Sequence, residues 1–413
     1  MSKPTEGKTI RAIPSKSDAH RAYICAAIAG GETAINCSET SLDIEATREC
    51  MEALMNSKED RAGVDLYCRE SGSTLRFLLP LVGALGKRGI FHPMGRLSKR
   101  PLSPLYEELQ KKGMIISAPG SVPLIAEGKL QSGDFVIPGN ISSQFVSGLL
   151  FALPLLEGDS RIIVTGDFQS RGYSNMTLRT LEEFGIRAYE EKDGDNLIIN
   201  IPGSQKYNSV KEYNVEGDWS NSAFWFAAGL LGDSPIKVTG LDMNSPQGDK
   251  EILRVIQDLG GKIQVEDEGI TVYPGKNLKG ITFDAGQTPD MIPVVALMAT
   301  RCKTPTRIVN ALRLRTKESD RLHSISGTLR ALGADVEELE EGLIINSKRK
   351  VEALKGGTVE SFDDHRIAMM ASIASIICEG KVGLIGWEAV NKSYPSFFEH
   401  LRELDLDGNL ERM

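Results

Sequence analysis

Six stretches of this 413-residue chain place side chains able to grip an anion or carry a proton directly ahead of a long apolar run. They read SKSDAHRAYICAAIAG, SGSTLRFLLPLVGAL, ISSQFVSGLLFALPLL, GDWSNSAFWFAAGLLG, TPDMIPVVALMAT and DDHRIAMMASIAS. Ser, Thr, Asp and Asn are good helix N-caps, so their oxygens there satisfy free backbone N–H groups. Capping does not account for the cations. Lys16 and Arg21, Arg76, and His365 with Arg366 stand where a positive charge opposes the helix dipole, at a cost of roughly 0.3–1 kcal/mol each. Free N–H groups, hydroxyls and a cation at one helix start are what a phosphate or carboxylate requires.

Two further clusters are denser. RLSKRPLSP sets Lys99 and Arg100 before Pro101, which favours an extended conformation at Arg100. LRLRTKESDRL, read as helical, brings Lys317 and Arg321 onto one face, where like charges repel. Glu318 can pair with Arg321, and an anion between the two cations would also relieve the repulsion, leaving Glu318 as a proton carrier. Asp290, at the head of an apolar helix, reads either as a cap or as a general base. Lys392 in NKSYPSFF precedes a short amphipathic helix and by itself reads as a surface lysine. The chain has no G-x-x-x-x-G-K-[ST] phosphate loop, G-x-G-x-x-G dinucleotide fingerprint, G-x-S-x-G elbow or H-E-x-x-H zinc motif. The residues therefore point to a metal-free enzyme that grips several phosphate or carboxylate groups.

The elements that must carry these residues repeat. The polar starts recur at intervals of roughly 55–77 residues, the size of one supersecondary unit. Amphipathic stretches such as PLYEELQKKGM, MTLRTLEEFGI, KEILRVIQDLGG and SISGTLRALGA follow most of them and stop at Gly. Short β-rich segments such as NLIINIPG, GITVYPG and GLIINS come next. Six α/β units result, and the length favours more than one domain. A net charge of -8 argues against nucleic acid or an anionic membrane as the partner, though a local cationic cleft remains compatible with it. The six cysteines show no ligand spacing and read as reduced thiols. The start MSKPTEGKTIR lacks the apolar core of a signal peptide, and the run from Ile367 to Cys378 is too short to span a bilayer. The expectation is a cytoplasmic protein.

SKSDAHR, SGSTLRF, KRPLSPL, SSQFVSGLL, SRGYSNMTL, GDWSNSA, TPDM, RTKESDR, DDHRIAM and NKSYPSFF, in that order, resemble the blocks of the 5-enolpyruvylshikimate-3-phosphate synthase family of enolpyruvyl transferases. The resemblance runs from about Ile10 to Leu404. It implies a two-lobed inside-out α/β barrel of six βαβαββ repeats, three per lobe. One lobe would be residues 14–215 and the other residues 1–13 with 216–413. It implies transfer of the enolpyruvyl group of phosphoenolpyruvate to the 5-hydroxyl of shikimate 3-phosphate through a tetrahedral ketal, with no metal or cofactor and with a monomer as the expected state.

Carried over by position, Lys16, Ser17 and Arg21 would hold the shikimate phosphate and the boundary between the substrates. Ser142, Ser143, Ser170 and Tyr173 would bind that phosphate and the ring, with Lys317 assisting, and Gln144 would touch both substrates. Gly72, Arg100, Arg321, Arg366 and Lys392, together with Lys16, would surround phosphoenolpyruvate. Asp290 would bind the shikimate 5-hydroxyl and act as its base. Glu318 and Lys16, with Lys392 and His365 behind them, are candidates for moving protons at the methylene carbon.

Three departures from the family pattern stand out. Pro14 occupies a turn often made by Gly, Glu70 and Ser71 replace a common Asn-Ala before Gly72, and Arg313 stands where Asn often touches the shikimate phosphate. The alternatives are the related transferase acting on UDP-N-acetylglucosamine and a non-catalytic phospholigand-binding module. The first carries Asn after the leading lysine and usually a loop Cys, where this chain has Ser17 and a Cys-free GRLSKRP. The second would need neither Asp290 nor Glu318.

Overall fold

The computed structural model describes residues 7–57, 62–346 and 354–413. The polar first six residues, on which part of the signal-peptide reading rests, lie outside them. The chain divides into two compact units: one takes the residues up to Ser15 together with Glu216–Met413, the other Lys16–Val215. Among the described residues no helix is long and apolar enough to cross a membrane.

Lys16–Val215 contains helices α1 (Lys16–Ala29), α2 (Leu42–Asn56), α3 (Gly72–Ala84), α4 (Leu105–Lys111), α5 (Ser143–Ala152) and α6 (Arg171–Glu183). The other unit contains α7 (Trp219–Leu231), α8 (Ile252–Asp258), α9 (Ile292–Ala299), α10 (Arg321–Ala331), α11 (His365–Ala374) and α12 (Phe397–Glu403). The odd-numbered helices are the six apolar runs. A helix apolar on every side must be enclosed, and every residue of α7, α9 and α11 is buried. α3 and α5 are nearly so. Each unit thus has helices in its core, with one continuous apolar cluster apiece.

Strands wrap these helices in a repeated order. In Lys16–Val215, Val64–Arg69 pairs parallel with Gly89–Pro93, which pairs antiparallel with Leu124–Glu127 and then Ile115–Ile116. Asp134–Pro138, Ser160–Thr165, Asn196–Ile201 and Tyr189–Asp193 repeat that pattern. In the other unit it recurs from Thr282–Asp284 through Thr306–Val309 and Gly342–Ile345 to Val336–Leu339. A fourth copy begins with Lys8–Arg11, parallel to Ile236–Thr239, followed by Gly269–Tyr273 and Lys262–Glu266.

Two repeats are shorter than the expected βαβαββ. Among the described residues one has only Glu212–Asn214 against Ala34–Asn36. The other is an all-parallel trio of Gly357–Glu360, Val382–Ile385 and Leu410–Arg412. Among the described residues the sheets are separate and none closes on itself.

A parallel pair needs a crossover, and α3, α5, α9 and α11 each supply one, while α1 and α7 link strands of different sheets. Each of the six N-termini follows the carboxyl end of a strand, where open α/β folds bind ligands. Two leading strands are exchanged: Lys8–Arg11 precedes α1 in the chain but belongs to the sheet flanking α7, and Glu212–Asn214 precedes α7 but pairs beside α1. The chain segments at the exchange are tied by a Pro14–Gly217 bridge. Ser15 N–H donates to Glu216 O at 2.7 Å and Asp218 N–H to Ile13 O at 2.8 Å.

Candidate active site

In Lys16–Val215 the predicted residues gather at the starts of α1, α3, α5 and α6. Lys16 Nζ meets Asp43 Oδ2 at 2.8 Å. Arg21 is buried: its Nε donates to Thr177 Oγ1 at 2.8 Å, Nη2 to the Tyr173 carbonyl at 2.7 Å, and Nη1 to the Ser17 carbonyl. Burial pulls its guanidinium down to about 10. Arg21 therefore ties α1 to α6 whatever else it holds.

Ser142 caps α5 by accepting from Gln144 N–H, with Ser143 buried beside it. The Gln144 side chain is fixed at both ends: Arg76 Nη1 donates to its oxygen at 2.6 Å and its Nε2 donates to Ser73 Oγ at 2.9 Å. Ser170, at φ 55°, opens α6, and Tyr173 N–H donates back to its carbonyl. Arg100, extended as expected before Pro101, lies across the start of α3, where a Cβ on Gly72 would come within 2.7 Å of its Nη1. The absent side chain at Gly72 lets that guanidinium lie against the helix.

In the other unit a cluster of ions forms around the start of α10. Arg321, 1% exposed, donates Nη1 to Asp290 Oδ1 at 2.6 Å, Nη2 to Glu318 Oε2 at 2.7 Å and Nε to Asp364 Oδ2 at 2.8 Å. Lys317 Nζ lies 3.5 Å from the same Asp290 oxygen. Asp364 is fully buried; besides Arg321 it accepts from Ser319 Oγ at 2.9 Å and from Arg366 N–H at 2.9 Å, capping α11.

Arg366 turns back to α7, donating Nη2 to Ser220 Oγ at 2.6 Å and Nη1 to Asn221 Oδ1 at 3.2 Å. Lys392 Nζ reaches the Asp363 carbonyl at 2.6 Å and its carboxylate at 2.8 Å. His365 is buried with Nδ1 3.9 Å from Asp364 Oδ1. Arg313 Nη2 donates to Gly286 O at 2.7 Å.

The electrostatics follow from this crowding. Burial alone would raise the Asp290 carboxyl, but Lys317, Arg321 and Arg366 outweigh it and hold the group well below the usual carboxylate range. Burial pushes the Lys317 ammonium down to about 8, with Arg321 and Arg313 adding to the shift against the pull of Asp290 and Glu318. Both side chains keep 23% of their exposure, so the pair is recessed yet reachable. The cluster thus holds an ionised carboxylate beside an amine that titrates near neutrality.

A model of the family described as EPSP synthase (3-phosphoshikimate 1-carboxyvinyltransferase) matches residues 2–401. The chain belongs to the EPSP synthase family. It is 43% identical to the 3-phosphoshikimate 1-carboxyvinyltransferase of Clostridium acetobutylicum, over 96% of this chain and 95% of that one. Identity to the protein of the same name from Clostridium perfringens is 42%, with the same coverage. Among solved structures, EPSP synthase from Acinetobacter baumannii superposes with a TM-score of 0.77 over 97% of each chain at 24% identity. The enolpyruvyl transferase NikO from Streptomyces tendae gives 0.72 at 17% identity, over 98% of this chain and 96% of its own. These likenesses give the two-lobed α/β fold of EPSP synthase.

Against that family, three local expectations are corrected. Residues 317–321 are not one helix: Lys317 is extended, at φ -82° and ψ -158°, and α10 starts only after Asp320, which caps it. The repulsion between Lys317 and Arg321 is met by Asp290, whose Oδ1 accepts from Arg321 Nη1 and pairs with Lys317 Nζ at 3.5 Å. Asp290 is accordingly no cap, since its carboxylate is spent on Arg321 and α9 begins without a side-chain cap. Lys392 is buried, not a surface lysine.

The predicted residues fall into two groups. Lys16, Ser17, Arg21, Gly72, Arg100, Ser142, Ser143, Gln144, Ser170 and Tyr173 are in Lys16–Val215. Asp290, Arg313, Lys317, Glu318, Arg321, His365, Arg366 and Lys392 are in the other unit. The sequence reading missed the residues that hold these in place: Asp43, Ser73, Ser220, Asn221, Asp363 and Asp364. A signal existed for Asp364, because the doubled Asp of DDHR exceeds what one cap needs.

Proposed function

We propose that this chain, as a member of the EPSP synthase family, transfers the enolpyruvyl group of phosphoenolpyruvate to the 5-hydroxyl of shikimate 3-phosphate, releasing phosphate. The observation that carries the residue assignment is the Arg321 cluster. There, two carboxylates suited to proton transfer, Asp290 and Glu318, share one clamped guanidinium beside Lys317. In the addition step the 5-hydroxyl oxygen bonds to C2 of phosphoenolpyruvate, its proton passes to Asp290, and the methylene carbon gains a proton, giving a tetrahedral ketal. In the elimination step that methyl carbon loses a proton, the C2–O bond to phosphate breaks, and the enolpyruvyl ether forms.

Glu318 is our assignment for the proton at the methylene carbon, with Lys16 the alternative and Lys392 and His365 behind them. Lys16, Ser17, Arg21, Ser142, Ser143, Gln144, Ser170, Tyr173, Arg313 and Lys317 are assigned to shikimate 3-phosphate. Gly72, Arg100, Arg321, Arg366 and Lys392, together with Lys16 and Gln144, are assigned to phosphoenolpyruvate. Guanidinium groups already fixed by Asp364, Ser220 and Asn221 need no reorganisation as charge shifts, which is the main source of such stabilisation. Purified protein given both substrates should release phosphate with neither metal nor nucleotide added. Absence of release would overturn the assignment.

The Lys317 ammonium sets an alkaline limit. The charged form grips an anion and is lost as pH rises through about 8. The group kcat/KM reports is that of the free enzyme. A profile of kcat/KM for shikimate 3-phosphate should therefore fall above that pH, and Lys317→Arg should move the fall upward. A limb that stays in place in Lys317→Arg would assign it to another group.

A further inference from the structure

The turn that leads into α11 is strained where it meets Lys392. It spans Ser361 to Asp364 and is closed by Asp364 N–H donating to Ser361 O at 3.0 Å. Both central residues are left-handed, Phe362 at φ 53° and Asp363 at φ 55°. Turns with positive φ at both central positions are made mostly by Gly, Asn and Asp, so Phe362 in particular costs free energy there. Strain of this kind persists where the surroundings over-determine it, and it clusters at functional sites.

The surroundings do over-determine it. Ser361 is buried; its N–H donates to Ile385 O at 3.0 Å, and its hydroxyl accepts from Asp363 N–H at 3.2 Å. The Phe362 ring meets the His323 ring edge-on, with centroids 6.5 Å apart, and packs on the apolar cluster of its unit. Gly386, left-handed at φ 70°, comes so close that a Cβ would lie 2.6 Å from Ser361 Oγ. From Gly386 the chain enters the 3₁₀ helix Trp387–Lys392. The same few residues thus fix both the turn and the segment that carries the lysine.

The turn offers Lys392 two acceptors of unequal kind. The Asp363 carbonyl oxygen lies 2.6 Å from Nζ, and Oδ1 lies 2.8 Å from it. The carbonyl is neutral and part of the pinned backbone, so it orients the ammonium without cancelling its charge. The carboxylate does cancel it. The Lys392 side chain is 9% exposed, whereas the Asp363 side chain is 64% exposed. Among the described residues Lys392 is the one partner of that carboxylate, while the neighbouring Asp364 is buried on Arg321. A carboxylate mostly in water releases its partner at little cost, since exposed pairs are weak.

We infer that Asp363 sets the affinity for phosphoenolpyruvate: its carboxylate competes with an anionic group of the substrate for the Lys392 ammonium, while its carbonyl keeps that ammonium in place. The inference rests on the assignment of Lys392 to phosphoenolpyruvate. Neutralising Asp363 removes both a competitor and a repelling charge, so the substrate binds more tightly. A side chain that only braced Lys392 would give the opposite result, because cutting it back would loosen the grip.

The test is steady-state kinetics of the full chain at saturating shikimate 3-phosphate. Asn and Gly both tolerate a positive φ, so Asp363→Asn and Asp363→Gly keep the turn and its carbonyl. In each, KM for phosphoenolpyruvate should fall about two- to five-fold, the effect of a partly exposed ion pair, and kcat/KM should rise. Lys392→Met should raise the same KM. If it does, and kcat/KM is unchanged or lower in either Asp363 variant, the inference is overturned while the assignment of Lys392 stands. A KM that Lys392→Met leaves unmoved would overturn both.

Discussion

Asp290→Asn is expected to cut turnover by about 10²–10⁴-fold, the range a positioned general base contributes, while calorimetry shows shikimate 3-phosphate binding little changed. The amide keeps an oxygen for Arg321 Nη1, which lies 2.6 Å from the present carboxylate, so the local geometry survives. What is lost is the ability to take a proton. Because Lys317, Arg321 and Arg366 hold Asp290 ionised far into acid, it is a weak base in the ground state. Its role is to receive the hydroxyl proton as bond formation at C2 makes that proton acidic. Asp290→Asn should therefore lower kcat across the whole neutral range, and it should move the alkaline limb of kcat/KM to below about 8, because the carboxylate that holds the Lys317 ammonium up is gone. Turnover equal to that of the unaltered protein would remove Asp290 from the chemistry.

Asp364→Ala is expected to destabilise the unit that carries it by about 3–5 kcal/mol, the usual cost of stripping one partner from a buried ion pair. The change takes away acceptors for Arg321 Nε and Nη2, for Ser319 Oγ and for the backbone N–H of Arg366. It leaves a guanidinium 1% exposed with less countercharge than it needs. Asp364→Asn keeps an oxygen for the cap and should cost less, yet it also loosens Arg321. Denaturant unfolding followed by tryptophan fluorescence reads this directly, since Trp219, Trp225 and Trp387 all lie in that unit. A loss under about 1 kcal/mol, typical of an exposed pair, would show that Asp364 is not what holds Arg321.

Features that depend on local pattern were legible in the chain itself. All-round apolar runs became enclosed helices, the Gly stops became the ends of amphipathic ones, and Ser142, Asp218 and Ser71 became caps. The oddly placed Arg21, Arg76 and Arg366 are all buried, each donating to polar groups of neighbouring segments. Pairings between remote segments were not legible. Nothing near Lys16 announces Asp43, and nothing in RTKESDR says that Asp290 and Asp364 both converge on Arg321. The helix read through 317–321 failed for a related reason. Charge spacing alone cannot reveal that Asp320 caps the next helix and forces Lys317 into an extended conformation.

The exchanged strands bear on how the protein is made. Lys16–Val215 is continuous, so all of its sheets and helices are available once about half of the chain has left the ribosome. Lys8–Arg11 emerges earlier still but has no partner until Ile236–Thr239 follows it out. One of the first β-strands to be synthesised must therefore stay unpaired while a complete neighbouring unit assembles behind it. Its alternating KTIR sequence, with two cations and a single buried Ile10, suits a segment that waits in water without aggregating.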